Sequence, residues 1–79
     1  MKVIVQVSLK DSILDPQGEA ISHSLKSIGF LNVNSVRQGK VIVIDLEETD
    51  QERGIKTINE MCKKLLVNDV IENFSIITD

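Results

Sequence analysis

Val33-Asn34-Ser35-Val36-Arg37-Gln38-Gly39-Lys40-Val41-Ile42-Val43-Ile44-Asp45-Leu46-Glu47 sits at the middle of the chain and carries a strand pattern on each side of a turn signal. From Val41 to Glu47 the side chains alternate: Ile42, Ile44 and Leu46 share one face, and Val41, Val43 and Asp45 share the other, which is the period of a half-buried strand. Val33 to Gln38 predicts a strand before it. Gly39-Lys40 between the two predicts a tight hairpin turn, with Gly39 supplying a positive φ. A hairpin at mid-chain leaves about thirty residues on either side, enough for one strand and one helix each.

Both flanks meet that expectation. Upstream, Asp15 can cap a helix and Pro16 suits its first position, where a missing N–H costs nothing. Ile21, Leu25 and Ile28 follow at helical spacing beside Ala20, and Gly29 fits the residue just past the end. Glu19 near the start and Lys26 near the finish agree with the helix dipole; Gly18, in the first turn, is a weak helix former. Before the helix, residues 2–9 alternate, with Val3, Val5, Val7 and Leu9 on one face and Ile4, Gln6 and Ser8 on the other. Downstream, Thr49-Asp50-Gln51-Glu52 reads as a capping box, Thr49 capping and Glu52 reaching back. Ile55, Ile58, Met61, Cys62, Leu65 and Leu66 then form one stripe, Lys63 and Lys64 occupy the last turn, and Asn68-Asp69 ends the helix. Glu72 to Thr78 makes a last strand, with Phe74 and Ile76 on one face and Ile77 on the other.

The order strand–helix–strand–strand–helix–strand predicts an α+β, ferredoxin-like βαββαβ fold: a four-stranded antiparallel sheet with two helices on one face, in one domain over residues 1–79. A right-handed crossover places the first and third strands in the centre. The opposite face then carries Ile4, Val41, Val43 and Ile77, which is apolar enough to predict a buried interface with another copy, a homodimer or higher. Size points the same way, because below about 70–80 residues one core rarely supplies more than roughly 3–5 kcal/mol and a partner chain often makes up the rest.

Composition excludes several classes. Hydrophobic residues make up 42% and charged ones 27% of the 79 residues, so the chain should fold. Nine Lys and Arg against twelve acids, a net charge of −3 and no basic block argue against nucleic acid as a partner. Phe30 and Phe74 are the only aromatics, too few for a base-stacking platform; both are expected in the core. The longest apolar run, Val41 to Ile44, cannot span a membrane. The start alternates too early for a signal peptide, and the single Cys62 cannot form a disulfide within the chain. The expected compartment is the cytoplasm.

Catalytic chemistry is hard to find. His23, the sole histidine, lies off the apolar stripe of its helix and reads as solvent-facing. Cys62 lies on the stripe of the second helix and reads as a buried structural thiol. Asp45, Glu47, Glu48, Asp50 and Glu52 lack the glycine and spacing of a calcium loop. Gly18, Gly29, Gly39 and Gly54 are too dispersed to cradle a phosphate. No catalytic residue, bound cofactor or metal is expected.

Several short motifs narrow the choice. Leu9-Lys10, Leu14-Asp15-Pro16-Gln17-Gly18, Ile28-Gly29-Phe30, Val36-Arg37-Gln38-Gly39-Lys40, Leu65-Leu66-Val67-Asn68 and Val70-Ile71-Glu72, in this order and over nearly the whole chain, resemble the PurS family. That family is the small subunit of phosphoribosylformylglycinamidine (FGAM) synthase. One departure is Asp69, where the family usually has Pro after the Asn, which predicts a looser turn.

The resemblance implies a part in purine biosynthesis. The enzyme it points to converts formylglycinamide ribonucleotide, ATP, glutamine and water into formylglycinamidine ribonucleotide, ADP, phosphate and glutamate. It implies three partners: a second copy of the chain, a large synthetase subunit that uses ATP and Mg, and a glutaminase subunit that releases ammonia. The small subunit would bring the other two together and carry no catalytic residue. Candidate interface residues are Lys10, Asp15, Gln17, Arg37 and Lys40 around the first helix start and the predicted hairpin tip, with Ile4, Val41 and Val43 on the open face. Asp15-Pro16-Gln17-Gly18 also has a purely structural reading, a sharp entry into the helix. The alternative function is a regulatory domain of the amino-acid-binding ferredoxin-like type. An acylphosphatase-like hydrolase would need an anion-cradling loop with an Arg after the first strand, and Lys10-Asp11-Ser12 supplies none.

Overall fold

The structure is a computed structural model, and it describes residues 1–78. Its elements are β1 (Lys2–Leu9), α1 (Pro16–Ser27), β2 (Gly39–Asp45), α2 (Gln51–Met61), a π-helical turn (Cys62–Leu66) and β3 (Glu72–Thr78). β1 is the central strand of a three-stranded antiparallel sheet of order β2-β1-β3. Val5 stands opposite Ile42 on one side and Ile76 on the other.

The alternation in β1 sets the core. Val3, Val5 and Val7 are buried together with Ile58, Cys62 and Val67 from the second helix and the strand-like residue after it. Ile42, Ile44, Leu46, Met61, Leu66, Phe74 and Ile76 pack against this cluster. One sheet face and one helix therefore make the core. Ile4, Val41, Val43 and Ile77 remain on the open face, with Val41 59% and Val43 58% exposed.

The predicted fourth strand is the main correction. Residues 33–38 belong to no strand of the sheet, and no turn forms at Gly39-Lys40. Gly39 is instead the first residue of β2, opposite Ser8, and the only positive φ in the described chain is that of Gly29, 111°. The physical reason is that the groups beside Gly39 are already engaged by the segment that leads into α1. The Gln38 amide donates to Asp15 Oδ2 (2.6 Å), and the Arg37 guanidinium donates to the Lys10 and Ile13 carbonyls (2.9 Å each). The chain thus runs straight through positions 38–40. β2 becomes an edge strand, so the expected pair of central strands reduces to β1 alone.

The two helices also part company. α1 begins as predicted, capped by Asp15 with Pro16 next, and Gly29 follows its C-cap Ile28. Yet no α1 side chain joins the core cluster. Ile28 is 72% exposed, and Phe30, expected in the core, is 54% exposed. Gly18 is buried because the first turn of α1 lies against residues 36–38: a Cβ there would collide with the Val36 carbonyl and meet Asp15 Oδ2 at 2.7 Å.

Three smaller differences have local causes. The cap of α2 is Asp50 rather than Thr49, its Oδ1 accepting from the Glu52 (3.0 Å) and Arg53 (3.3 Å) amides. The Asp50 carboxylate, one residue on and reaching one bond further than a Thr hydroxyl, satisfies these orphan donors. Leu65, predicted on the buried stripe, is 84% exposed. The Val67 amide bonds to the Cys62 carbonyl (3.0 Å), five residues back, and this wider turn rotates Leu65 outward while keeping Leu66 and Val67 inward. The Asn68-Asp69 turn is well tied without a proline: Glu72 Oε1 accepts from the Asn68 amide (2.7 Å), and Asn68 Oδ1 from the Val70 amide (3.1 Å).

Candidate functional site

One end of the sheet gathers most of the polar residues singled out in the sequence. Asp15 is the hub. Its Oδ1 accepts from the Gly18 amide (2.9 Å) and its Oδ2 from the Gln38 amide (2.6 Å), and its side chain is buried. These two amide bonds hold its carboxyl below the usual carboxylate range, Gln38 contributing most; the Arg37 charge helps and burial opposes. Gln17 Oε1 accepts from Gln38 Nε2 (2.6 Å), and Arg37 bridges the two carbonyls of the 10–13 loop. Lys10 Nζ donates to Asn73 Oδ1 (3.0 Å), while the Lys10 amide bonds the Ile71 carbonyl (2.8 Å).

Lys10, Asp15, Gln17 and Arg37 are therefore one connected set, joining the end of β1, the start of α1, residues 36–38 and the start of β3. Lys40 lies next to it in β2, its Nζ 3.9 Å from Glu72 Oε2. A shallow depression of about 230 Å³ between Asp15, Gln17, Lys40 and Glu72 marks this end of the molecule. Ile4, Val41 and Val43 lie apart, on the open sheet face.

Sequence reading missed Gln38, whose amide is the strongest partner of Asp15, and Glu72 and Asn73, which hold Lys40 and Lys10. Backbone donors leave no mark on residue type, so Gln38 had no signal. Gly18 did have one: a glycine in the first turn of an otherwise good helix.

The chemistry of the set is that of a clamp. Asp15 spends both oxygens on amides, and two of the five Arg37 N–H donors go to carbonyls. His23 is exposed. Cys62 is buried and its thiol is pushed up by that burial, away from the thiolate a nucleophile requires. Among the described residues, no three His, Cys, Asp or Glu side chains are grouped to hold a metal ion, and no helix is long and apolar enough to cross a membrane.

Fold and site together define a small α+β protein whose polar centre ties chain segments to one another and whose open sheet face exposes Val41, Val43 and Ile77. Comparison with known proteins gives the family. The model of the PurS family, phosphoribosylformylglycinamidine (FGAM) synthase, matches residues 2–79. The PurS subunit of this synthase from Bacillus subtilis is 47% identical over 73 residues, covering 92% of this chain and 86% of its own. The crystal structure of PurS from Methanocaldococcus jannaschii superposes with a TM-score of 0.87 at 41% identity, over 96% of this chain and 92% of that one. A chain of the PurLQS structure from Thermotoga maritima gives 0.88 at 30% identity, over 96% and 93%. The chain belongs to the PurS family, and it is a subunit of FGAM synthase in purine biosynthesis.

Proposed function

We propose that this chain is the non-catalytic small subunit of FGAM synthase, bringing the glutaminase and the large synthetase subunit together so that ammonia passes between them. On this reading the chain acts as a single domain in the cytoplasm, and ATP and Mg²⁺ work on the large subunit while this chain binds no cofactor. The observation that carries the proposal is the clamp around Asp15. Its carboxylate and two of the Arg37 N–H groups are engaged within the chain, which suits a residue set that shapes a contact surface rather than one that turns over a substrate. The likeness to a chain of the PurLQS structure supports the same role.

Two surfaces are available for contact. The loop of residues 10–17 with Arg37 and Lys40 faces outward from the clamp and is the candidate contact for the other subunits. The open sheet face, with Ile4, Val41, Val43 and the 45%-exposed Ile77, is a candidate for self-association. The test is glutamine-dependent formation of formylglycinamidine ribonucleotide by the large and glutaminase subunits, with and without this chain. Activity that depends on its addition supports the assembly role. Equal activity without it overturns that role.

A further inference from the structure

A third surface lies at the edge of the sheet that β3 forms. β1 sits between β2 and β3, so β3 pairs on one side only. The Lys10 amide bonds the Ile71 carbonyl, and the Leu46 amide bonds the Met1 carbonyl. These two bonds fix the alternation of the ladder: even-numbered residues of β1 bond toward β3 and odd-numbered ones toward β2. With Ser8 opposite Asn73, Gln6 opposite Ser75 and Ile4 opposite Ile77, the amides and carbonyls of Asn73, Ser75 and Ile77 point at β1. Those of Phe74 and Ile76 point away from it, and among the described residues none of them has a hydrogen-bond partner outside the ladder.

Nothing on this edge keeps another strand away. From Asn73 to Thr78 the sequence Asn-Phe-Ser-Ile-Ile-Thr has no charge and no proline, and the seven residues of β3 pair with β1 in unbroken register, without a bulge. Soluble proteins blunt such edges with lysine, proline or a bulge, because a bare one is a template for any extended chain. β2, the other edge strand, carries Lys40 and Asp45. The side chains add to the backbone signal. Phe74 and Ile76 pack on the core cluster yet remain half-buried, whereas Val7 and Val5, their partners on β1, are buried. With β1 on their inner flank, the apolar surface left open lies toward the free edge.

We propose that the large synthetase subunit docks here by laying an extended segment along β3, which becomes a further strand on this side of the sheet. The proposal rests on the assembly role above and gives that role a surface. The chemistry of the edge selects an extended chain, since only such a chain meets backbone donors and acceptors offered at every second residue. Its side chains must be apolar at alternate positions, to lie beside Phe74 and Ile76, and polar between them, next to Asn73 and Ser75. A slip of one residue would turn the apolar set to the wrong face, so the docking fixes its own register. The edge also continues the candidate contact loop, because Lys10 holds the start of β3 through the Ile71 carbonyl (2.8 Å) and Asn73 Oδ1 (3.0 Å). Loop and edge make one footprint, the edge alone about 24 Å long at a strand's rise. A footprint of that reach suits the larger of the two partner subunits.

The test is amide hydrogen exchange, resolved by residue, on the full chain alone, with the large subunit and with the glutaminase, beside the glutamine-dependent activity of the same mixtures. In the free chain the Asn73, Ser75 and Ile77 amides are expected to exchange slowly, and those of Phe74 and Ile76 quickly. Adding the large subunit should slow Phe74 and Ile76 at least about tenfold while leaving the other three little changed. Protection at every second residue is the mark of strand addition, because burial under another kind of contact does not select these two amides. Unchanged exchange at Phe74 and Ile76, in a complex whose activity depends on this chain, overturns the edge docking and leaves the assembly role standing. Activity that is independent of the chain overturns the assembly role, and the edge docking with it. Protection by the glutaminase alone, or in the free chain as its concentration rises, overturns the choice of partner in favour of the glutaminase or a second copy.

Discussion

Asp15 and Gln38, 23 residues apart, are joined by a 2.6 Å hydrogen bond from the Gln38 amide to the Asp15 carboxylate. The same carboxylate caps α1 through the Gly18 amide. One side chain therefore both starts a helix and fixes the course of the segment that returns to the sheet. Because this carboxyl titrates below its ordinary value of 3.8, its contribution to stability is present above that value and is lost as pH falls through the lower folded one. Asp15→Asn should be less stable than the natural chain at pH 7, with a shallower loss on acidification below pH 4. Urea midpoints at a series of pH values check this, and two parallel curves would refute it.

Glycine replacements separate two kinds of crowding. Gly18→Ala should gain up to about 1 kcal/mol in helix propensity but lose roughly 1–3 kcal/mol to overpacking, because the Val36 backbone carbonyl and the Asp15 carboxylate cannot both retreat. A net loss is expected. Gly54→Ala meets the Met1 side-chain end, which is flexible, so it should be neutral or gain up to about 1 kcal/mol. Denaturation midpoints that shift in the same direction for both variants would contradict this account.

The π-helical turn makes neighbouring leucine and isoleucine positions very unequal. Ile58→Ala should cost about 2–5 kcal/mol, since Ile58 is fully buried beneath the sheet. Leu65→Ala, at an 84%-exposed position, should change stability by no more than about 0.5 kcal/mol. Urea unfolding of the two variants side by side measures the contrast.

Arg37 spans the 10–13 loop with two donors, a fork geometry that lysine cannot reproduce. Both Arg37→Lys and Arg37→Glu should leave the far-ultraviolet circular dichroism unchanged while weakening association with the large and glutaminase subunits, Glu more than Lys. Gel filtration of the reconstituted mixture reads this out. Unaltered complex formation by Arg37→Glu would remove the loop from the contact surface.

The sequence made local structure legible where pattern and chemistry agreed. Val3, Val5 and Val7 announced the core face of β1, Asp15-Pro16 announced the start of α1, and Gly29 its end. It misled where a long-range partner intervened. Gly39-Lys40 has the composition of a turn, but the straight path is held by Asp15, Lys10 and Ile13, more than twenty residues upstream. Ile21 and Ile28 have helical spacing, yet spacing does not say which surface a stripe will meet. Leu65 lost its place because one extra residue in a helical turn shifts the phase of those around it. Of the site, the side chains Lys10, Asp15, Gln17 and Arg37 were visible as residue types; their joining through backbone groups was not.

The pairing of β1 also governs the order in which the fold can be made. β1 stands at the centre of the sheet, but its neighbours are β2 and β3, and the register joins Val3 to Ile44 on one side and to Thr78 on the other. No local hairpin can nucleate such a sheet: even the nearest partners, Ser8 with Gly39 and Leu9 with Glu72, are 31 and 63 positions apart, so long-range loop closure must precede most of the ladder's stabilisation. During synthesis the first strand emerges with its valine row uncovered and waits for nearly the whole remaining chain. This topology predicts slow folding for so short a protein, and a nascent chain exposed to chaperones until β3 has left the ribosome.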